Sequence, residues 1–230
     1  MLRLAPGQSA QSHPTSVQSR PAHPQGGSHM LLGTLELMGA AMSFGRNEEI
    51  YGEGEPTEYL YKVVSGAVRT CKLLSDGRRQ IAGFHLPGDI FGLELGDEHS
   101  LSAEAISEAR VLVFKRSAVI ALAQRDNEVA RQLWTMTARN LELVQDHMLL
   151  LIKSAQERVA AFLLEMATRT PSGNAVELPM SRQDIADYLG LTIETVSRTL
   201  TQLENDSAIE LPTSRRIVLR NRGALNRLNA

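Results

Sequence analysis

With a single cysteine, Cys71, in 230 residues, several chemistries are removed at once. No intramolecular disulfide can form, and a cysteine-ligated iron–sulfur cluster has too few ligands. No apolar run approaches the roughly 20 residues of a membrane span, and the first residues lack the charged-then-apolar pattern of a secretion signal. A cytoplasmic chain without membrane contact is expected. The sequence also lacks a phosphate-cradling glycine-rich loop, metal-ligand spacing and a nucleophile–base motif. An enzyme is therefore not expected, nor is a metal or a cofactor. The formal net charge of -2 gives no global basic signal for nucleic acid. DNA footprints are local patches, so this weighs only slightly against DNA binding.

What is present centres on residues 181–204. Ser181 is a good helix N-cap, and Asp184 three residues on completes an S-x-x-D capping box. Ile185, Ala186 and Leu189 form the inner side of a short helix that Gly190 ends, being free to take positive φ. Thr192 caps a second helix, and Glu194 sits in its first turn, where the helix dipole favours an anion. Ile193, Val196, Leu200 and Leu203 make its apolar face, and Glu194, Ser197, Arg198 and Thr201 a separate polar stripe. Such a helix suits the DNA major groove: Arg pairs with guanine N7 and O6, and Glu accepts from cytosine N4. An ordinary helical hairpin with a solvated outer face gives the same local pattern, so the rest of the chain has to decide.

Residues 1–30 are rich in Ser, Pro, Gln, Gly and His without hydrophobic period, which predicts a disordered tail. Gly27-Ser-His-Met30 matches a common vector scar, Met30 would equally serve as an internal start, and His13, His23 and His29 fall there by chance placement. From about Leu31 to Met42 a mixed apolar segment is expected to form helix or irregular cover. Between Arg46 and Phe114 short β-rich runs follow: 59–64, 67–74, 80–86, 101–106 and 111–114. Turn signals such as Ser65-Gly66, Ser75-Asp-Gly77 and Pro87-Gly-Asp89 separate them. Strands at that spacing predict an antiparallel sandwich or jelly roll. Ala130, Trp134, Thr137, Leu141, Val144, Met148, Leu151 and Ala155 then recur in steps of four and three, the a/d seam of a coiled coil and a dimer interface. Asn140 and His147 flank it as interface or solvent residues. A helix over 156–170 precedes the two-helix unit, and Ala208–Leu211 and Arg216–Leu219 read as a hairpin or wing. Arg215, Arg216, Arg220 and Arg222 cluster beside it, open to phosphate contact or to plain solvation. A dimer helix would place two recognition helices about one DNA turn apart, suiting a palindromic site.

This order of parts, with Gly88-Asp-Ile-Phe-Gly92 in the β region, resembles the CRP/FNR superfamily of bacterial transcription factors over essentially all of residues 45–225. The stretches 184–198 and 216–222 resemble its FixK branch. The resemblance implies an α+β fold: an N-terminal antiparallel β jelly roll of cyclic-nucleotide-binding type (31–115, after the 1–30 tail), a long dimerisation helix (116–155) and a C-terminal winged helix-turn-helix (156–230). It also implies base reading of TTGAT-type half-sites by Glu194, Ser197 and Arg198, which match E-x-x-S-R. Phosphate contacts would come from Ser181, Arg182, Thr192 and Thr195. Partners would be double-stranded DNA, a second copy in a homodimer and RNA polymerase, with surface loops such as Glu53-Gly-Glu55 available to the last. Cyclic-AMP-binding relatives carry a Gly-Glu run and an Arg-Ser pair that clamp the nucleotide phosphate. Here Gly92-Leu-Glu94 displaces the first, and 97–103 has no Arg beside a Ser, so a cyclic phosphate would meet Asp97, Glu98 and only His99. Loss of the effector matches the FixK branch, whose members regulate microaerobic respiration, denitrification or nitrogen fixation. The alternative is a CRP-like regulator switched by a nucleotide, or by haem held through His85 or His99. Cys71, within a strand, reads as a small buried hydrophobe.

Overall fold

The structure, a computed structural model, describes residues 38–170 and 173–229. The expectations for the tail and for 31–37 lie outside these residues. Eight strands come first: β1 (Ala40–Phe44), β2 (Glu49–Tyr51), β3 (Tyr59–Ser65), β4 (Val68–Leu73), β5 (Arg79–His85), β6 (Ile90–Phe91), β7 (Ser102–Ala105) and β8 (Ala109–Lys115). They form two four-stranded antiparallel sheets, β1-β8-β3-β6 and β2-β7-β4-β5, the jelly roll expected.

Period-two alternation assigns each face. In β8, Val111 and Val113 point into the roll with Tyr61, Val63 and Phe91. Leu112 and Phe114 point the other way, with Leu60, onto the helices that follow. Strand β4 is buried on both faces: Val68 belongs to the roll, whereas Arg69 and Cys71 face outward beneath the C-terminal helices. Cys71 is thus the buried small residue expected. The β3–β4 turn needs Gly66, which has φ +79° and lies so close to Glu108 that a Cβ would meet its carbonyl oxygen at 2.1 Å.

Several short elements differ from expectation. Residues 40–42, the end of the segment expected as helix or irregular cover, instead form β1 together with Ser43 and Phe44, in register with Ala109–Val113 of β8. Pairing to an available edge outweighs their weak local pattern. Strands β2 and β6, three and two residues long, are too brief to leave a period.

The helices are α1 (Arg116–Arg125), α2 (Asn127–Leu150) and α3 (Ala155–Arg169). The seam expected to continue through Ala155 stops earlier, because α2 ends at Leu150 and Ser154 starts a new helix. Ser154 and Glu157 form a capping box there, Glu157 Oε2 accepting from Ser154 N at 2.7 Å. Leu151 accordingly leaves the seam, packing 3.6 Å from where a Cβ on Gly190 would lie. His147 is half-buried and stacks on Tyr188 with ring centroids 4.1 Å apart. The exposed side of α2 keeps the rest of the stripe: Trp134, Leu141, Val144 and Met148 are 76%, 57%, 54% and 61% exposed. Thr137 is exposed among them.

The C-terminal part adds β9 (Ala175–Glu177), α4 (Arg182–Leu189), α5 (Ile193–Asn205), β10 (Ile209–Glu210), β11 (Arg216–Leu219) and α6 (Arg222–Asn229). The expected hairpin is β10–β11, with β9 as a third antiparallel strand. Helix α6 was not expected. Its signal was legible: Asn221 Oδ1 accepts from Ala224 N at 2.9 Å, and Leu225 and Leu228 pack inward three residues apart. One apolar cluster runs from Ile81, Phe84 and Leu86 of the β region through Phe162 and Met166 to Tyr188, Leu200 and Leu225. Arg169 at the end of α3 ties into the same region, donating to Phe84 O and Asp89 Oδ2, both at 2.6 Å.

Candidate DNA-reading site

Helix α4 begins as the sequence predicts. Ser181 Oγ accepts from Asp184 N at 3.1 Å, and Asp184 Oδ2 accepts from Ser181 N at 2.9 Å. Gly190 closes the helix at φ 62°, a left-handed cap that costs glycine little. Thr192 caps α5 through Thr195 N at 3.2 Å. Ile185, Ala186 and Leu189 are buried, as are Val196, Leu200 and Leu203 of α5, while Ile193 is 37% exposed at the helix start. The two helices meet across this apolar seam, and the opposite side of α5 is left to solvent.

On that side the predicted residues come together. Glu194, Arg198 and Thr201 are exposed and Ser197 is half-buried. Hydrogen bonds from its own amide and from Thr192, with Arg198 nearby, hold the Glu194 carboxyl below the usual carboxylate range. It is an ionised acceptor at neutral pH, as reading a cytosine amino group requires. Arg198 makes no protein ion pair among the described residues, leaving its fork available. Arg182, at the start of α4, reaches across to Ser197 Oγ at 3.4 Å, and its buried Nε has no hydrogen-bond partner. Thr192 is exposed and shares a hydroxyl contact of 3.1 Å with Thr195. Ser181 is placed differently: its amide and hydroxyl both donate to Asp184 Oδ2.

The arginines beside the hairpin are mostly engaged within the chain. Arg215 Nη1 donates to Pro179 O at 3.3 Å, Arg216 pairs with Glu177 at 3.5 Å, and Arg220 pairs with Glu210. Arg222 begins α6 and donates to Gly173 O at 3.1 Å. Sequence reasoning missed a further set altogether. Arg69 and Arg79 of the β region clasp Asp184 and Asp187 of α4 across 115 and 108 positions of chain. No local period reports a contact over that distance.

The interior of the jelly roll is filled by rings. Tyr51 stacks on His99 at 3.6 Å, Tyr61 on Phe91 at 5.2 Å, and His85 on Phe91 at 4.9 Å. His99 Nδ1 lies 3.3 Å from Glu94, and His85 Nε2 lies 3.2 Å from Thr70 Oγ1. Among the described residues no group of three or more His, Cys, Asp or Glu is placed to hold a metal ion. No helix among them is long and apolar enough to cross a membrane.

Two family models match the chain: a Crp-like helix-turn-helix domain over residues 157–228 and a cyclic nucleotide-binding domain over residues 41–126. The nitrogen fixation regulation protein FixK of Azorhizobium caulinodans is 54% identical over 202 residues, covering 85% of this chain and 82% of that protein. The protein of the same name from Rhizobium meliloti is 45% identical over 181 residues, covering 78% and 82%. Among solved structures, FixK2 from Bradyrhizobium japonicum superposes with a TM-score of 0.81 at 56% identity, covering 84% of this chain and 98% of that one. A Crp-type helix-turn-helix behind a cyclic-nucleotide-binding-type roll, with this identity to FixK proteins, places the chain in the CRP/FNR superfamily of transcriptional regulators, on its FixK branch.

Proposed function

We propose that the chain is a homodimeric transcriptional activator of FixK type that recognises TTGAT-type palindromic promoter sites without a bound effector. The observation that carries this reading is the presentation of Glu194, Ser197 and Arg198 on one open side of α5. Arg198 engages the guanine of the G·C pair, Glu194 accepts from the cytosine side, and Ser197 reaches the neighbouring A·T position. Arg182, Thr192 and Thr195 supply the phosphate contacts that set register. Ser181 contributes chiefly as the cap that holds α4, because both its donors are already used. The exposed stripe Trp134–Thr137–Leu141–Val144–Met148 is the dimer seam, with Leu151 at its end turned toward α4.

The ring packing inside the roll supports the effector-free reading. An open groove of about 860 Å³ exists beside β1, lined by Met38, Met42, Ile50 and Tyr59 with Glu55 and Glu58. Two carboxylates against the one ammonium group of Lys115 leave the groove a poor site for a cyclic phosphate. Nitrogen fixation genes are proposed targets, following the names of the relatives, microaerobic respiration and denitrification genes are added by the resemblance to the FixK branch, and RNA polymerase is the proposed partner in activation. No cofactor enters the proposal.

The test is binding of full-length protein to a TTGAT palindrome at moderate salt. Arg198→Ala should lose about 1–3 kcal/mol per bidentate contact, twice over in a dimer, and abolish discrimination against a G·C-substituted site. Unchanged affinity and discrimination would overturn the assignment.

A further inference from the structure

Helix α4 is held in place by charges from the other end of the chain. Arg69, on the outward face of β4, donates through Nη1 to Asp184 Oδ1 at 2.9 Å, and through Nε and Nη2 to Glu104 Oε2 at 2.8 and 2.5 Å. Arg79, on β5, donates through Nη2 to the same Asp184 oxygen at 2.7 Å and through Nε to Asp187 Oδ2 at 2.9 Å. The side chains of Arg69 and Asp184 are only 8% and 5% exposed. Asp184 therefore does two jobs: Oδ2 completes the α4 capping box while Oδ1 takes both guanidinium groups. Gln80 adds a weaker tie, its Nε2 donating to Tyr188 O at 3.4 Å.

Desolvation offsets most of the Coulomb attraction of a buried ion pair, so its main yield here is geometric. Any arrangement that separates the partners strands a buried carboxylate. Two guanidinium groups facing three carboxylates of two elements admit very few arrangements, and α4 is packed against α5 by the apolar seam. Fixing α4 thereby fixes α5. Asp184 and Asp187 face the β sheet while Arg182 faces Ser197, so the clasp leaves the reading side untouched.

We infer that Arg69 and Arg79 are positioning residues for DNA recognition. Without touching DNA, they preset the orientation of α4 and α5 relative to α2, and hence the spacing of the two reading helices in a dimer. This rests on the dimer-and-palindrome reading above. It gives that reading a mechanism, in which a built-in ionic clasp does what a bound ligand would do in a switched regulator.

The test compares full-length protein with Arg79→Gln and with the conservative Arg79→Lys, which keeps the charge facing Asp184 and Asp187. Arg79 is chosen because its side chain, at 25% exposure, lies at the edge of the cluster and least endangers folding. Affinities are measured for a palindrome and for an equally long duplex carrying one half-site. Arg79→Gln should lower the palindrome-to-half-site affinity ratio at least tenfold, with half-site affinity kept within twofold. Arg79→Lys should keep most of the ratio, and backbone amides of α4 should exchange hydrogen faster in Arg79→Gln than in either charged form. A ratio that survives Arg79→Gln, or a parallel fall in both affinities, overturns the inference while leaving the palindrome reading intact. Wild-type protein with no preference for the palindrome overturns both.

Discussion

Burial holds the imidazole of His85 down to a pKa of about 4, with Asp89 opposing the effect and Arg169 adding to it. In an unfolded chain the same ring titrates near 6.5. Above that pH it is neutral in both states and adds no pH dependence. As pH falls from about 6.5 to about 4, the unfolded chain takes up a proton that the native ring refuses, so stability is lost across that window. Burial lowers the pKa of His147 as well, with the same sign. Urea midpoints should fall between those pH values, and His85→Gln should flatten the fall relative to wild type; identical slopes would show that the ring does not set it. Single residues were partly legible beforehand. The Ser181–Asp184 cap and the Gly190 stop follow from spacing alone, because their partners lie within four positions. The second use of Asp184 did not, because its arginines are distant in sequence.

Helix α2 shows what periodicity can and cannot tell. Its apolar stripe was readable and lies open to solvent in the single chain, as an unpaired seam should. Its end was not readable, because Leu151 and Ala155 continue the four–three spacing past the Ser154 cap that breaks it. Leu141→Glu places two like charges at the centre of the proposed dimer and forfeits about 1.5–3 kcal/mol of apolar burial per chain. The dimer dissociation constant should rise more than about tenfold, since 1.4 kcal/mol is one decade. Sedimentation velocity over a concentration series checks this, and an unchanged dimer would move the interface off α2.

At the scale of the molecule, the order of parts was legible and their packing was not. A β region, a long helix and a two-helix reader can be named from texture alone, but nothing local says that β4 and β5 are covered on their outer face. That coverage makes Phe84 a shared residue, 5.1 Å from Tyr188 and 6.2 Å from Phe162 by ring centroid. A core joined in this way should unfold in one step. Phe84→Ala is expected to cost about 3–5 kcal/mol, lowering roll and reader together. Urea unfolding, followed by far-ultraviolet circular dichroism and by hydrogen exchange in the β-strand amides, should give coincident transitions. Two separated transitions would mean that the units are thermodynamically independent.

The position of Trp134 has a spectroscopic corollary. It is the chain's sole tryptophan, it sits on the α2 stripe, and it is 76% exposed in one copy. Emission from a water-facing indole lies to the red, and enclosure by a second copy shifts it to the blue. The protein therefore carries its tryptophan at the proposed seam and none in the DNA-reading unit. Dilution alone should redden the spectrum as copies part, giving an unlabelled optical readout of assembly.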